Sequence, residues 1–168
     1  MVKYYLKAAA ELSNVTDLQP VDTPESPFEY TFKIECTKCR EAHDKPVTIN
    51  QFENHELPDS RGEASFIFRC HNCKSSHSAL ISRSKQLLVN QDEDSGVFSV
   101  ALTTVLEIDA RGVEFTEFIP EGRFQCKGLK SSTKFDEVDL EDGEWYDYDD
   151  QAGEEVSVID VKWEISRS

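Results

Sequence analysis

Phe28-Glu29-Tyr30-Thr31-Phe32-Lys33-Ile34-Glu35-Cys36-Thr37-Lys38-Cys39 carries both the fold and the site. Phe28, Tyr30, Phe32 and Ile34 alternate with Glu29, Thr31, Lys33 and Glu35, the period of a half-buried strand. That strand runs directly into a Cys-x-x-Cys turn, whose two sulfurs can point at one ion. The same order recurs downstream. Ala64, Phe66, Phe68 and Cys70 alternate, and Cys70-His71-Asn72-Cys73 closes a second knuckle. Working outward, Val2, Tyr4, Leu6, Ala8, Ala10 and Leu12 form another alternating face. So do Val100, Leu102, Thr104, Leu106 and Ile108, and near the C-terminus Ile159, Val161, Trp163 and Ile165. Val47-Thr48-Ile49 reads as a further short strand. No stretch sustains a helical period. Short helical turns are expected near Gln51–His55 and Phe135–Leu140. The fold class is mostly β, built of antiparallel strands in two lobes, the first holding a zinc ribbon-like site.

Pro20 to Pro27, Asp59-Ser60-Arg61-Gly62 and Asn90 to Gly96 carry turn and loop chemistry. The last is taken as a seam, so one domain over 1–168 divides into a zinc-binding lobe (1–92) and a metal-free acidic lobe (93–168). The halves compare with one another. Phe32-Lys33-Ile34-Glu35-Cys36 resembles Gly122-Arg123-Phe124-Gln125-Cys126, and Phe66-Ile67-Phe68 resembles Val156-Ser157-Val158. On this alignment Cys36 alone has a cysteine counterpart, Cys126. A duplicated β lobe and chance matching between alternating strands both account for it.

At 168 residues the chain can bury roughly 68–70% of its unfolded surface, so metal need not support every part of its core. Its 33 acidic and 18 basic residues leave a net charge of −15. Such a chain repels phosphate backbones, which argues against nucleic acid as a partner. Lys7 and Glu11 interrupt the N-terminal apolar face, so no secretory signal is expected. No run approaches the length of a membrane span. A cytoplasmic protein, with the nucleus as a further location, is the expectation, and its five cysteines then stay reduced. Asn14-Val15-Thr16 is accordingly read as a turn rather than a glycosylation site.

Cys36, Cys39, Cys70 and Cys73 are the candidate metal ligands. The 30 residues from Arg40 to Arg69 separate the pairs, more than the usual spacing of about 15–20, so the insert must hold structure of its own. Four thiolates close a zinc shell and leave no position for a catalytic water. One structural Zn2+ per chain and no enzymatic activity are expected. Copper(I) and iron–sulfur clusters also suit thiolates. His71 and His77 could replace a thiolate or shield the ion; a surface or supporting role is the reading here. His43 and His55 are assigned nothing, and Cys126 is read as a buried inert thiol. Residues 136–155 hold 11 acids among Trp145, Tyr146 and Tyr148. They read as a solvated acidic loop or as a docking surface for a basic protein.

These residues resemble the eukaryotic CXXC-motif-containing zinc-binding protein family over nearly the whole chain. The likeness runs through Asn14 to Pro20, Cys36 to Glu41, Arg61 to Ser65, Cys70 to Cys73, Arg111-Gly112, Phe135 to Leu140 and Trp145 to Asp149. The resemblance implies a small, mostly β protein whose four knuckle cysteines bind zinc, and it implies no enzymatic reaction. The functional expectation is a monomeric zinc-binding protein acting as a protein-interaction module. Handling of zinc or copper, in association with a metallochaperone, is the alternative, and thiol oxidoreductase activity a lesser one.

Overall fold

The computed structural model describes residues 2–53, 55–56 and 63–167. Among these, regular structure is all strand. The first half contributes β1 (Val2–Ser13), β2 (Val15–Pro20), β3 (Tyr30–Cys36) and β4 (Val47–Ile49). A short insert, β5 (His55–Glu56) and β6 (Glu63–Ala64), precedes β7 (Phe66–Arg69) and β8 (Ser76–Arg83). The second half contributes β9 (Val97–Arg111), β10 (Val113–Ile119), β11 (Phe124–Gly128), β12 (Lys134–Val138), β13 (Trp145–Asp149) and β14 (Glu154–Arg167). The expected turn at Asp59–Gly62, and Arg61-Gly62 of the resemblance, lie outside the described residues.

One six-stranded sheet has the order β13-β14-β1-β9-β8-β7, and two three-stranded sheets have the orders β10-β3-β4 and β12-β11-β2. The large sheet reads alike from both edges if β1 is exchanged with β9, β14 with β8 and β13 with β7. Exchanging β3 with β11, β4 with β12 and β10 with β2 likewise turns one small sheet into the other. The β3–β4 hairpin takes β10 from the second half, and the β11–β12 hairpin takes β2 from the first. Strands from both sides of the expected seam therefore share every one of these sheets. The seam itself is a tight turn: buried Asn90 donates from its side-chain amide to Gly96 C=O at 2.8 Å, and Asn14 N–H donates to the same carbonyl at 2.7 Å. Asn14-Val15-Thr16 is indeed a turn into strand, with Asn14 at φ 60°.

Pairing registers correct the offset at which the halves match. Cys36 lies opposite Val113, and Gly128 lies opposite Val15. Thr37 N–H donates to Gly112 C=O at 3.0 Å, and Leu129 N–H donates to Asn14 C=O at 2.9 Å. Gly112 and Asn14 are both left-handed residues at the ends of the two central strands. The counterpart of Cys36 is therefore Gly128, and Phe32 matches Phe124. Cys126 falls instead at the level of Ile34, a core position, and is buried as expected for an inert thiol. The alternating patterns looked similar two residues out of step because a period of two repeats at every even shift.

β-Bulges account for most departures from the expected faces. In β9 the register against β1 slips after Leu106, opposite Leu6 and Lys7. Val105 and Leu106 are both buried, and Leu102 turns outward at 47% exposure. In β14 the slip falls between Ile159 and Lys162, with Asp160 at φ 52°. Val156 and Val158 face inward before it, and Val161, Trp163 and Ile165 pack on the core after it, so the face changes parity. Ala64 to Cys70 is broken at Ser65, whose buried hydroxyl accepts from Ile81 N–H at 3.2 Å. Phe135–Leu140 is not helical: β12 pairs with β11, setting Val138 opposite Phe124 and Phe135 opposite Cys126. Of the short helical turn expected over Gln51–His55, Asn54 lies outside the described residues, Gln51 and Phe52 form a turn in which Asn50 Oδ1 accepts from the amides of Phe52 and Glu53 at 2.9 and 2.8 Å, and His55 is already strand. Val47–Ile49 is the short strand expected.

The core lies between the large sheet and the two small ones. Tyr4, Leu6, Ala8, Ala10 and Leu12 of β1 are buried. Tyr4 meets Phe115 of β10 with ring centroids 6.1 Å apart. Trp163 of β14 bridges both small sheets, 4.7 Å from Phe118 and 5.6 Å from Phe124. Phe32 packs edge-on against Phe115 at 5.0 Å and tilted against Phe118 at 5.4 Å. Each such ring contributes about 1.5–3 kcal/mol on burial. This aromatic seam lies in both halves of the chain, so it stabilises the end away from the knuckles as well as the knuckle end.

Candidate metal centre

The two knuckles are presented by strand ends and have the same backbone. Cys36 is the last residue of β3, and Cys70 follows β7 directly. Cys36 N–H donates to Glu41 C=O at 3.0 Å, and Arg40 N–H donates to Cys36 C=O at 2.9 Å. Cys70 N–H donates to Ser75 C=O at 3.0 Å, and Lys74 N–H donates to Cys70 C=O at 3.0 Å. Each turn closes through a left-handed residue, Arg40 at φ 62° and Lys74 at φ 63°. A backbone so tightened brings sulfurs three residues apart onto one point.

All four Sγ atoms lie within 4.8 Å of one another. Across the knuckles, Cys36 Sγ is 3.7 Å from Cys73 Sγ and Cys39 Sγ is 3.6 Å from Cys70 Sγ. Zinc–sulfur bonds of about 2.3 Å separate the sulfurs of a regular tetrahedron by about 3.8 Å. The donor set therefore fits a tetrahedral thiophilic ion, with Cys36 and Cys70 buried and Cys39 and Cys73 half-exposed. The structure thus brings together all four residues singled out from the sequence.

Histidines divide by position. His77, on β8 opposite Phe68, is buried, with Nε2 3.0 Å from Cys36 Sγ. Its ring fills the space where a side chain at Gly112 would project, and Gly112 is left-handed at φ 80°. Burial chiefly lowers the His77 pKa, with the Lys38 charge adding to it against a backbone hydrogen bond at Ser76. The ring is therefore neutral near pH 7, and with its proton on Nε2 it donates to Cys36 Sγ once metal ligation has made that sulfur a thiolate. Such outer partners fix ligand orientation and typically change metal affinity 10–100-fold. His77→Ala is accordingly expected to weaken zinc binding by about 10–100-fold without removing the ion at excess zinc, as read by chelator competition.

His71 is exposed and stacks on His43 with ring centroids 5.6 Å apart, and His43 meets Phe68 at 4.9 Å. These rings line an open cleft of about 380 Å³ beside Cys70, with Glu41, Asp44 and Asn72. Sequence reasoning assigned nothing to His43, since its nearness to the second knuckle comes from sheet pairing and not from spacing. His55 sits on β5, with Nε2 3.5 Å from Glu53.

The thiols differ in acidity. Burial pushes Cys36 up to about 11. Hydrogen bonds from Ser75, first its side chain and then its backbone, bring Cys73 down to about 6. The Asn72 side chain is the main cause lowering Cys39. Metal ligation requires thiolates, so zinc loading near neutral pH must displace the Cys36 proton. Release of about one proton or more per zinc is expected, with affinity falling as pH drops. Calorimetric titration in buffers of different ionisation enthalpy measures it.

A family model described as CXXC motif containing zinc binding protein, eukaryotic, matches residues 5–166. A UPF0587 protein of Schizosaccharomyces pombe is 40% identical over 168 residues, covering 100% of both chains. The human CXXC motif containing zinc binding protein is 31% identical over 161 residues, covering 96% of each chain. The crystal structure of C1orf123 matches with a TM-score of 0.85 at 30% identity over 99% of both chains. A hypothetical protein from Plasmodium falciparum shares the fold, with a TM-score of 0.81 at 20% identity over 99% of this chain and 100% of that one.

Proposed function

We propose, for a chain that belongs to the eukaryotic family of CXXC motif containing zinc binding proteins, that it is a non-enzymatic interaction module stapled by one structural zinc ion. The convergence of four knuckle sulfurs within 4.8 Å carries this reading. Four thiolates saturate zinc and leave it no open position for water, so the ion acts through folding rather than hydrolysis. A reduced thiolate site suits the cytosol and the nucleus.

The partner-binding element in this reading is β13. Residues 136–155, read from the sequence as an acidic loop or a docking surface, hold the end of β12, all of β13 and the start of β14, and β13 forms one edge of the large sheet. Tyr146 and Tyr148 project from it at 65% and 49% exposure, with Glu144, Asp147 and Asp150 also exposed. Acidic side chains on an edge strand oppose pairing with a second copy, which favours a monomer. They favour an extended basic segment of another protein, which would add its backbone to the edge while the tyrosines supply contact area. Binding of a Lys/Arg-rich strand-forming peptide should weaken tenfold or more when Tyr146 and Tyr148 are both alanine, and should fall with salt. Unchanged binding by that variant would sink the docking assignment.

Half-exposure of Cys39 and Cys73 favours one second reading, metal handling. A mild chelator separates the two. A structural ion leaves only as the knuckle end unfolds, and an exchangeable one leaves a folded chain behind.

A further inference from the structure

The end opposite the knuckles repeats their construction without a cysteine. At the knuckle end the first cysteine of each pair accepts from the amide four residues on, and donates to the carbonyl five residues on in both turns. In the β11–β12 turn, Gly128 N–H donates to Thr133 C=O, five residues on, at 2.8 Å. In the β13–β14 turn, Gly153 N–H donates to Asp149 C=O, four residues back, at 2.7 Å. Gly153 is left-handed at φ 70°, as Lys74 is at φ 63°. Strand registers agree: Trp145 opposite Val158 lies four residues before Asp149, as Phe66 opposite Ala79 lies four residues before Cys70. Together with the Cys36–Gly128 match, this sets Gly128, Ser131, Asp149 and Ala152 at the positions of Cys36, Cys39, Cys70 and Cys73. The three-residue spacing within each pair is kept.

We infer that these four positions are a lapsed second metal site, in which the Asp149 carboxylate holds the place of the ion. Asp149 is fully buried. Its carboxylate accepts from the hydroxyls of Ser131 and Thr133 in the first turn, the latter at 2.7 Å. It accepts from the amides of Gln151 and Ala152 in its own turn at 3.0 and 3.2 Å. Gln151 Oε1 adds a second tie, accepting from Ser132 N–H at 2.6 Å and its hydroxyl at 2.9 Å. One anion bridges two turns, as a zinc–thiolate cluster would. A side chain on Gly128 would run into Ser131 Oγ and Asp149 Oδ2, so this hydroxyl–carboxylate pair occupies the space that Cys36 fills at the other end. Gly128 is outside the left-handed region, and a cysteine there meets no backbone barrier once Ser131 and Asp149 are exchanged as well.

The ligand class such a site takes is a tetrahedral thiophilic divalent ion. The inference rests on the knuckle end binding zinc, and the wild-type count, read in parallel, tests that premise separately. The variant G128C/S131C/D149C/A152C, refolded in excess zinc, should carry two zinc ions per chain by native mass spectrometry, against one for wild type. A folded variant with the wild-type count overturns the inference. If the four-cysteine chain does not fold, S131C/D149C/A152C is read with Co2+, which should show a second equivalent with thiolate charge-transfer absorption. A folded triple variant without that second equivalent overturns the inference, as does failure of both chains to fold around the ion.

Discussion

Cys70→Ser is expected to abolish zinc retention and to lower the melting temperature as far as chelation lowers that of the wild type. The serine hydroxyl is a poor ligand, and it stands at a buried position on the end of β7. With free zinc at about 1,000 times its dissociation constant, the ion contributes about 4 kcal/mol. For a chain of this size each kcal/mol corresponds to about 2–4 °C, so a drop of roughly 8–16 °C is expected. Thermal unfolding with and without EDTA measures it. The variant should be indifferent to EDTA, and its loss should fall on the knuckle end, since the aromatic seam through Trp163 does not depend on the ion. A variant still stabilised by zinc to the wild-type extent would remove Cys70 from the ligand set.

Asp149→Ala is expected to destabilise by a comparable amount and leave the zinc count untouched. Truncation strands the hydroxyls of Ser131 and Thr133 and two turn amides. Unsatisfied buried groups cost about 1–3 kcal/mol each, and water entering the turn softens the sum to about 3 kcal/mol. Hydrogen exchange should quicken at the β11–β12 and β13–β14 turns while the knuckle amides stay protected. The effect has a pH signature. Burial alone would raise the Asp149 pKa, but the hydroxyls of Ser131 and Thr133 and the amides of Ala152 and Gln151 outweigh it and hold the carboxyl below its ordinary range. A depressed folded value stabilises the protein fully above the unfolded pKa of about 3.9, and the contribution is lost as pH falls through that value to the folded one. The stability gap between wild type and D149N should therefore close in acid.

Local chemistry was legible in the sequence wherever a residue's role depended on its neighbours along the chain. The alternation from Phe28 into Cys36 reports strand and knuckle together, and the paired Cys-x-x-Cys turns identify all four converging sulfurs. Val47–Ile49 was found by the same route. What could not be read depended on partners far away in sequence. Leu102 and Ile159 follow an alternating pattern, but bulges against β1 change the parity of each strand midway. Phe135 to Leu140 has no strand signal of its own and is held extended by β11. The matching of Cys36 with Cys126 failed because alternation is degenerate at even shifts, and only the hydrogen bonds at Gly112 and Asn14 fix the register. Asp149 was one acid among many in 136–155, and its burial comes from two turns meeting. His43 likewise reaches the second knuckle only through the folded sheet.

Zinc K-edge X-ray absorption on the purified protein tests the four-cysteine site most directly. A first shell of four sulfurs at about 2.3 Å, with the His77 nitrogen outside it, is the expected result. A nitrogen or oxygen in that shell, or protein purified without zinc that takes up none when it is supplied, would contradict a closed structural site at Cys36, Cys39, Cys70 and Cys73.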